Sequence, residues 1–184
     1  MGTDDQQESL SWFLAGFIEG EGALVAGIKR HPTMRSRLYV QPSFFLYQYQ
    51  HVSGRRVLEL AQRVFGSGRI YPKPGNPKVL VRTIMDRRSL TEKVVPFFER
   101  YVMPFSCKRE TFERFREILE MKNRREHRTP AGMIRMVEEA YAMNPQGKGR
   151  RRIRTIDEVR ERILRDCTPD PRKEVKIQSV PSGD

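Results

Sequence analysis

Cysteine and histidine are scarce in this chain of 184 residues: Cys107 and Cys167, and His31, His51 and His127. Two cysteines cannot build a zinc site by themselves, and the histidines stand in no ligand spacing. Any metal chemistry must therefore use oxygen donors, which favours magnesium, manganese or calcium over zinc. So few thiols also suit a reducing compartment. No run of about 18 apolar residues is present, so no segment is expected to span a bilayer and no membrane partner is expected. The stretch from Met1 to Ser9 is acidic and polar, unlike a secretory signal or an Arg-rich transit peptide. An intracellular, non-secreted protein is expected. Negative charge is the other shortage: 23 Asp plus Glu face 35 Lys plus Arg, leaving a net charge of +12 and a pI near 10.1. Charge of that sign and size implies a polyanionic partner, usually nucleic acid.

What is present is enough chain for one domain with a core of its own. Apolar spacing predicts a helix over Leu10–Gly20, capped by Ser9 or Ser11, and a strand over Ala23–Arg30. A basic loop from His31 to Arg37 leads into a long aromatic and β-branched strand, Leu38–Tyr49. Ser53 is expected to cap a helix over Arg55–Phe65, which Gly66-Ser67-Gly68 ends. A short strand, Arg69–Lys73, turns through Pro74-Gly75-Asn76-Pro77 into Lys78–Met85. Ser89 is read as the cap of a helix reaching about Tyr101, and further helices cover Phe105–Lys122 and Pro130 to about Met143. The fold class is α+β, αββαββα with a four-stranded antiparallel sheet and extra C-terminal helices. Residues 1–9 read as a polar tail, 10–143 as the core, 144–167 as a basic connector plus helix, and 168–184 as a flexible tail. Within the third of these, Thr155 and Glu158 form a capping-box pattern before Ile156–Cys167.

Such a sheet hides one face under helices and leaves the other free. Alternation puts Arg37, Tyr39, Gln41, Ser43 and Tyr47 opposite Leu38, Val40, Phe44 and Leu46. The same reasoning assigns Lys29 and His31 to the free face, with Arg69, Tyr71 and Lys73, and with Lys78 and Arg82 opposite Val79, Val81 and Thr83. A basic, amide and aromatic surface on a two-stranded ribbon fits the major groove, where Arg and Lys donate to guanine and Gln pairs with adenine.

The segment Leu14-Ala15-Gly16-Phe17-Ile18-Glu19-Gly20-Glu21-Gly22 is the most informative in the chain. Gly16 and Gly20 share a helix face and allow a second backbone to approach. Gly22 is expected to end the helix in the left-handed conformation, holding Glu21 at a rigid tip. This nonapeptide resembles the LAGLIDADG signature of homing endonucleases, with Phe for the second Leu, Glu for both Asp and Gly for the second Ala. The likeness extends over roughly Trp12 to Leu119.

The resemblance implies a metal-dependent, often intron-encoded nuclease that sits on double-stranded DNA with its sheet as a saddle. It assigns Glu21 to the divalent metal, with the Gly20 carbonyl adding to the shell. Gln50 matches the family's water-positioning Gln, provided that a bulge or the start of the turn redirects it, with Gln48 as the substitute. Lys108, in Pro104-Phe105-Ser106-Cys107-Lys108-Arg109, matches the family's Lys. The cofactor implied is Mg2+, with Mn2+ as an alternative and Ca2+ bound without cleavage. Since the signature occurs once, a homodimer is implied, paired through Leu14, Gly16, Phe17 and Gly20, with Glu19 packing or capping at the seam. The target would be pseudo-palindromic. Two other readings use the same fold: an intron maturase, whose partner is RNA, and a DNA-binding regulator without cleavage. The basic run 148–154 is expected to touch phosphates outside the sheet footprint.

Overall fold

The computed structural model describes residues 3–34, 36–143 and 155–167. The basic run 148–154 and the tail 168–184 lie outside the described residues. Helix α1, Thr3–Glu21, runs directly into strand β1, Gly22–Arg30. Strand β2, Leu38–Tyr49, precedes α2, Val52–Phe65, and the hairpin β3, Arg69–Lys73, with β4, Asn76–Ile84. Helix α3 covers residues 87–102, α4 is Arg109–Asn123, α5 Pro130–Ala142 and α6 Ile156–Cys167. The strands form one antiparallel sheet in the order β1-β2-β4-β3.

Helix α1 begins well before Leu10, so the polar segment expected as a tail is helical. Glu8 explains the extension: its carboxylate accepts from Arg100 Nη2 at 3.1 Å and Tyr101 Oη at 2.8 Å, tying that turn to α3. Ser9 and Ser11 are not caps; their hydroxyls donate back to the carbonyls of Asp5 and Gln7. Two further caps fall on other residues than expected. His51, not Ser53, caps α2 by accepting from Gly54 N, and Asp86, not Ser89, caps α3 by accepting from Ser89 N. The Thr155–Glu158 box forms in both directions, at 2.7 and 3.2 Å. Helix α3 carries Pro96 in its interior, and π turns over Leu90–Val94 and Phe98–Val102 flank it. Wider turns accommodate a residue that offers no N–H and crowds the preceding carbonyl.

Leu38, Val40, Phe44 and Leu46 of β2 point at the helices and are buried. Phe44 meets Phe65 of α2 at 5.6 Å and Phe98 of α3 at 5.4 Å, both edge-on, and Phe98 stacks on Phe112 of α4. Four elements thus share one aromatic cluster behind the sheet. Pro42 lies in β2 without breaking it, because β4 stops at the Phe44–Ile84 pair and leaves that edge of β2 open.

Lys122 of α4 closes the open edge. Its ammonium donates to the Val40 carbonyl at 2.9 Å and lies 4.1 Å from the centre of the Tyr39 ring. Among the described residues it has no carboxylate partner. Burial first, and the Arg87 charge second, push its pKa down to about 8 from 10.5. The unfolded chain therefore binds the extra proton between those values, so this group's contribution makes stability rise as pH climbs through that window. Lys122→Met should flatten the rise, read as the urea midpoint from pH 7.5 to 10.5 against the parent chain. Parallel pH curves for the two proteins would show that Lys122 is not the group responsible.

Candidate nucleic-acid interface and catalytic centre

The register fixes which side chains share the free face. Val25, Gly27 and Lys29 of β1 pair with Ser43, Gln41 and Tyr39 of β2, and Phe45 and Tyr47 pair with Thr83 and Val81 of β4. Arg69 and Tyr71 of β3 join the same face opposite Thr83 and Val81, and a register shift at Pro72/Lys73 ends the ladder. Lys29, Tyr39, Gln41, Tyr47, Arg69, Tyr71 and Lys73 therefore lie where alternation put them, whereas His31 and Arg37 fall just outside the strands, where alternation does not apply. His31 and Arg37 close the tip of the β1–β2 hairpin, His31 N donating to the Arg37 carbonyl at 3.0 Å. Arg37 takes the left-handed conformation there, with φ 49. The Gln41 amide is engaged with the backbone, donating to the carbonyls of Pro42 and Met85.

Three of the residues assigned to this face do not serve it. Arg82 is only 1% exposed and pairs with Leu46 on the helix side. Its guanidinium caps the end of α2 through the Ser67 carbonyl and lies over the Phe65 ring. Desolvation lowers its pKa to about 10. Lys78 has the same parity as Arg82; it is exposed in a hollow with Tyr49, Gln50, His51 and Pro77. The alternation along β4 was sound, but its two faces were assigned the wrong way round, because a charged residue was taken to mark the solvent side. Ser43 has the right parity and is nevertheless buried.

The face also holds residues that the sequence did not single out. Phe45 stacks on Tyr47 at 6.0 Å, Lys73 lies 5.0 Å over the Tyr47 ring, and Tyr71 Oη meets Thr83 Oγ1 at 2.9 Å. Burial, and then the neighbouring Tyr71, raise the Tyr47 pKa and keep the phenol neutral. Pairing β4 with the odd-numbered residues of β2 would have revealed Val79, Val81 and Thr83 on this side.

Charge is segregated between the two layers. The arginines of the helices are largely paired with glutamate or aspartate, as in Arg114 with Glu110 and Glu139, Arg124 with Glu117 and Glu126, and Arg160 with Glu138. Among the described residues, no strand cation (Lys29, Arg30, Arg69, Lys73, Lys78 or Arg82) belongs to an ion pair. Among the described residues, the exposed cations of the strands thus stand without a carboxylate partner.

At one end of that saddle lies the motif. Gly22 opens β1 opposite Leu46, so Glu21 and the segment from Tyr47 to Gln50 share an end of the sheet. Glu21 is exposed and has no hydrogen bond or ion pair among the described residues. Gln50 is exposed just past β2, its N–H bonded to the Lys78 carbonyl at 2.7 Å. It has left the strand, so strand parity no longer constrains it. Gln48 points to the helix side, where its stem packs at Gly54. Lys108 sits at the end of α1: its ammonium donates to the carbonyls of Gly22 at 2.9 Å, Ile18 at 3.4 Å, and Glu19. Gly22 does not use a positive φ, contrary to expectation. It is required because a Cβ there would collide with the Ile18 carbonyl as helix passes into strand. Gly16 and Gly20 face open space, and Phe13 beside them is 56% exposed. Leu14, expected at a dimer seam, is instead 0% exposed in the chain's own core; Phe17 is half-buried.

Fold and site together define a class: an α+β protein with a cationic β-saddle and a free carboxylate where a buried helix enters the edge strand. Residues 14–119, more than half of the chain, match the LAGLIDADG endonuclease family model, and the protein belongs to that family. It is 45% identical over 117 residues to the DNA endonuclease I-CeuI of Chlamydomonas moewusii, spanning 62% of this chain and about half, 53%, of that relative. It is 29% identical over 164 residues to the homing endonuclease I-ApeII of Aeropyrum pernix, covering 88% of this chain and 95% of the other. Among solved structures, I-CeuI complexed with DNA aligns with a TM-score of 0.77 and 33% identity, covering 84% of this chain and 76% of that one. The archaeal I-Vdi141I complexed with DNA aligns with a TM-score of 0.77 and 28% identity, covering 89% and 98%.

The close approach at Gly22 gives a direct check. Gly22→Ala should destabilise the fold by about 1–3 kcal/mol through overpacking, read by urea denaturation. A neutral result would mean that the helix-to-strand passage has slack.

Proposed function

We propose that this protein is a site-specific endonuclease that hydrolyses phosphodiester bonds in double-stranded DNA with a divalent cation. The observation that carries the reading is Glu21, an exposed carboxylate with no hydrogen bond or ion pair among the described residues, on the helix end whose Glu19 and Gly22 carbonyls hold the Lys108 ammonium, at the edge of a cationic saddle.

Residues for a divalent cation are present in part. Glu21 would hold it, with the Gly20 carbonyl beside it, and oxygen donors suit Mg2+ or Mn2+, and Ca2+ without turnover. No group of three or more Asp, Glu, His or Cys able to hold a metal occurs among the described residues. One chain therefore supplies only a fraction of a coordination shell; a second copy and the phosphate would complete it. When bound, the cation supplies Lewis-acid stabilisation of charge on the phosphate. Gln50, exposed at the same end of the sheet, would orient the attacking water. Lys108 would offset the negative charge that develops in the reaction. Lys29, Arg69 and Lys73 would meet phosphates, which contribute most of the affinity, while Tyr39 would face the bases.

The free face of α1 supports homodimerisation. Phe13, Gly16, Phe17 and Gly20 recur at helical spacing, exposed or half-buried, and the glycines leave room for another backbone. A twofold axis there would bring two copies of Glu21 together, one per strand, over a pseudo-palindromic target. Neither cysteine forms a disulfide among the described residues, which suits an intracellular, reducing compartment, and no helix among the described residues is long and apolar enough to cross a membrane.

A selection for cleavage from a randomised duplex library with Mg2+, run beside Glu21→Gln, tests the function. A long, near-palindromic site cut only by the parent chain is the expected result. Binding to duplex or to structured RNA without any cutting would turn the assignment to a regulator or a maturase. Gly16→Leu tests the seam. It should leave the monomer as stable or more so, since Leu favours helix by roughly 0.5–1 kcal/mol over Gly, yet raise the dimer dissociation constant at least tenfold in sedimentation. An unchanged dimer would place the interface elsewhere.

A further inference from the structure

Both carboxylates of the motif survive in this chain, and the structure gives them opposite environments. Glu21 is free, whereas both oxygens of Glu19 are occupied. Ser106 Oγ donates to Glu19 Oε2 at 2.6 Å and Cys107 Sγ to Oε1 at 3.1 Å. Burial alone would raise the Glu19 pKa, but the bonds from Ser106 and Cys107 and the Lys108 charge outweigh it and lower it. Glu19 is thus held ionised, with each oxygen already bonded to the turn between α3 and α4.

That turn carries Lys108. Ser106 Oγ, while donating to Glu19, accepts from Lys108 N at 2.9 Å, so one hydroxyl links the carboxylate to the lysine backbone. The other end of the lysine is fixed as well. An ammonium has three N–H groups, and the carbonyls of Ile18, Glu19 and Gly22 offer an acceptor for each. Gly20, the carbonyl nominated for the metal shell, is not among them.

We propose that Glu19 is a positioning residue: through Ser106 it locks the turn that carries Lys108, and so sets the lysine charge relative to Glu21. The proposal rests on the endonuclease reading. A plain structural clamp between α1 and the turn would use the same bonds, but it would show as lost stability or lost target affinity. Positioning would show instead in the rate of strand cleavage, since small misplacements of a catalytic group can cost about a hundredfold.

The test uses the full chain and the target recovered from the selection. Cleavage is followed in single-turnover reactions with Mg2+, binding with Ca2+ in its place, and stability by thermal unfolding. Ser106→Ala should slow cleavage at least tenfold at unchanged target affinity and Tm, and Ser106→Thr, which keeps the hydroxyl, should restore it to within a few-fold. Glu19→Asp, whose carboxylate is retracted by one methylene, should slow cleavage in the same way and carries the test if Ser106→Ala does not fold. Parent-like cleavage by Ser106→Ala or, where that variant does not fold, by Glu19→Asp overturns the proposal. So does a slowing matched by equal losses of affinity and Tm that Thr fails to rescue. A parent chain that cuts no duplex overturns the endonuclease reading itself, and this inference falls with it.

Discussion

The passage from α1 into β1 is the constraint on which the rest of this protein depends. A helix ends with carbonyls that lack intrahelical donors, and here the chain enters the strand at once, with no loop to turn them to water. The Lys108 ammonium takes up three carbonyls at this end, from Ile18, Glu19 and Gly22. A cation there also opposes the negative end of the helix dipole. The arrangement that lets the helix stop also leaves Glu21 exposed at its tip. Gly22 belongs to the same constraint, since no side chain fits between the strand and the Ile18 carbonyl.

The sheet converts this local geometry into a surface. On one side, Phe44, Phe65, Phe98 and Phe112 join strand and helices into a common core. On the other, cations alternate with rings that are partly stacked on one another, Phe45 with Tyr47 and Lys73 over Tyr47. Those rings shelter Ser43, Val81 and Thr83, so the face is wet only in part. Helix carboxylates pair with most helix arginines, and among the described residues none reaches the strand cations. Paired surface charges contribute little to stability; here their arrangement matters more, because it leaves the cations of the saddle without a neutralising carboxylate among the described residues.

Much of this was legible in the sequence, and the failures have physical causes. Element order and the face of β1, β2 and β3 followed from alternation, because those strands carry clear apolar and polar sides. In β4 the same alternation was read with its faces exchanged, since Arg82 is a charge in the core and only the pairing register reveals it. The early start of α1 was invisible, because a partner distant in sequence, α3, holds Glu8. Ser53 and Ser89 were named as caps because the helix starts were read too late; the helices begin at Val52 and Arg87, so the capping side chains are those of His51 and Asp86. At the site, the motif nominated Glu21 and the family resemblance of a separate stretch nominated Lys108, but nothing local could show that Glu19 is bound to Ser106 and Cys107.

The contrast between the motif's carboxylates bears on the proposed metal site. A divalent cation needs about six oxygen ligands, and each oxygen of Glu19 is already engaged by the turn. Glu21 and a carbonyl make at most a corner of a shell. Completing it from the same chain would require another free carboxylate nearby, and the described residues offer no such cluster. On the proposed function the remaining ligands would come from outside: from the phosphate to be cut, from water, and from a second Glu21. The open face of α1, with its glycines bare and Phe13 exposed, would bring that second carboxylate close without disturbing the core that holds the first. In this reading the apolar stripe that a monomer leaves uncovered and the coordination that a monomer leaves incomplete are the same deficiency, and pairing of two chains removes both.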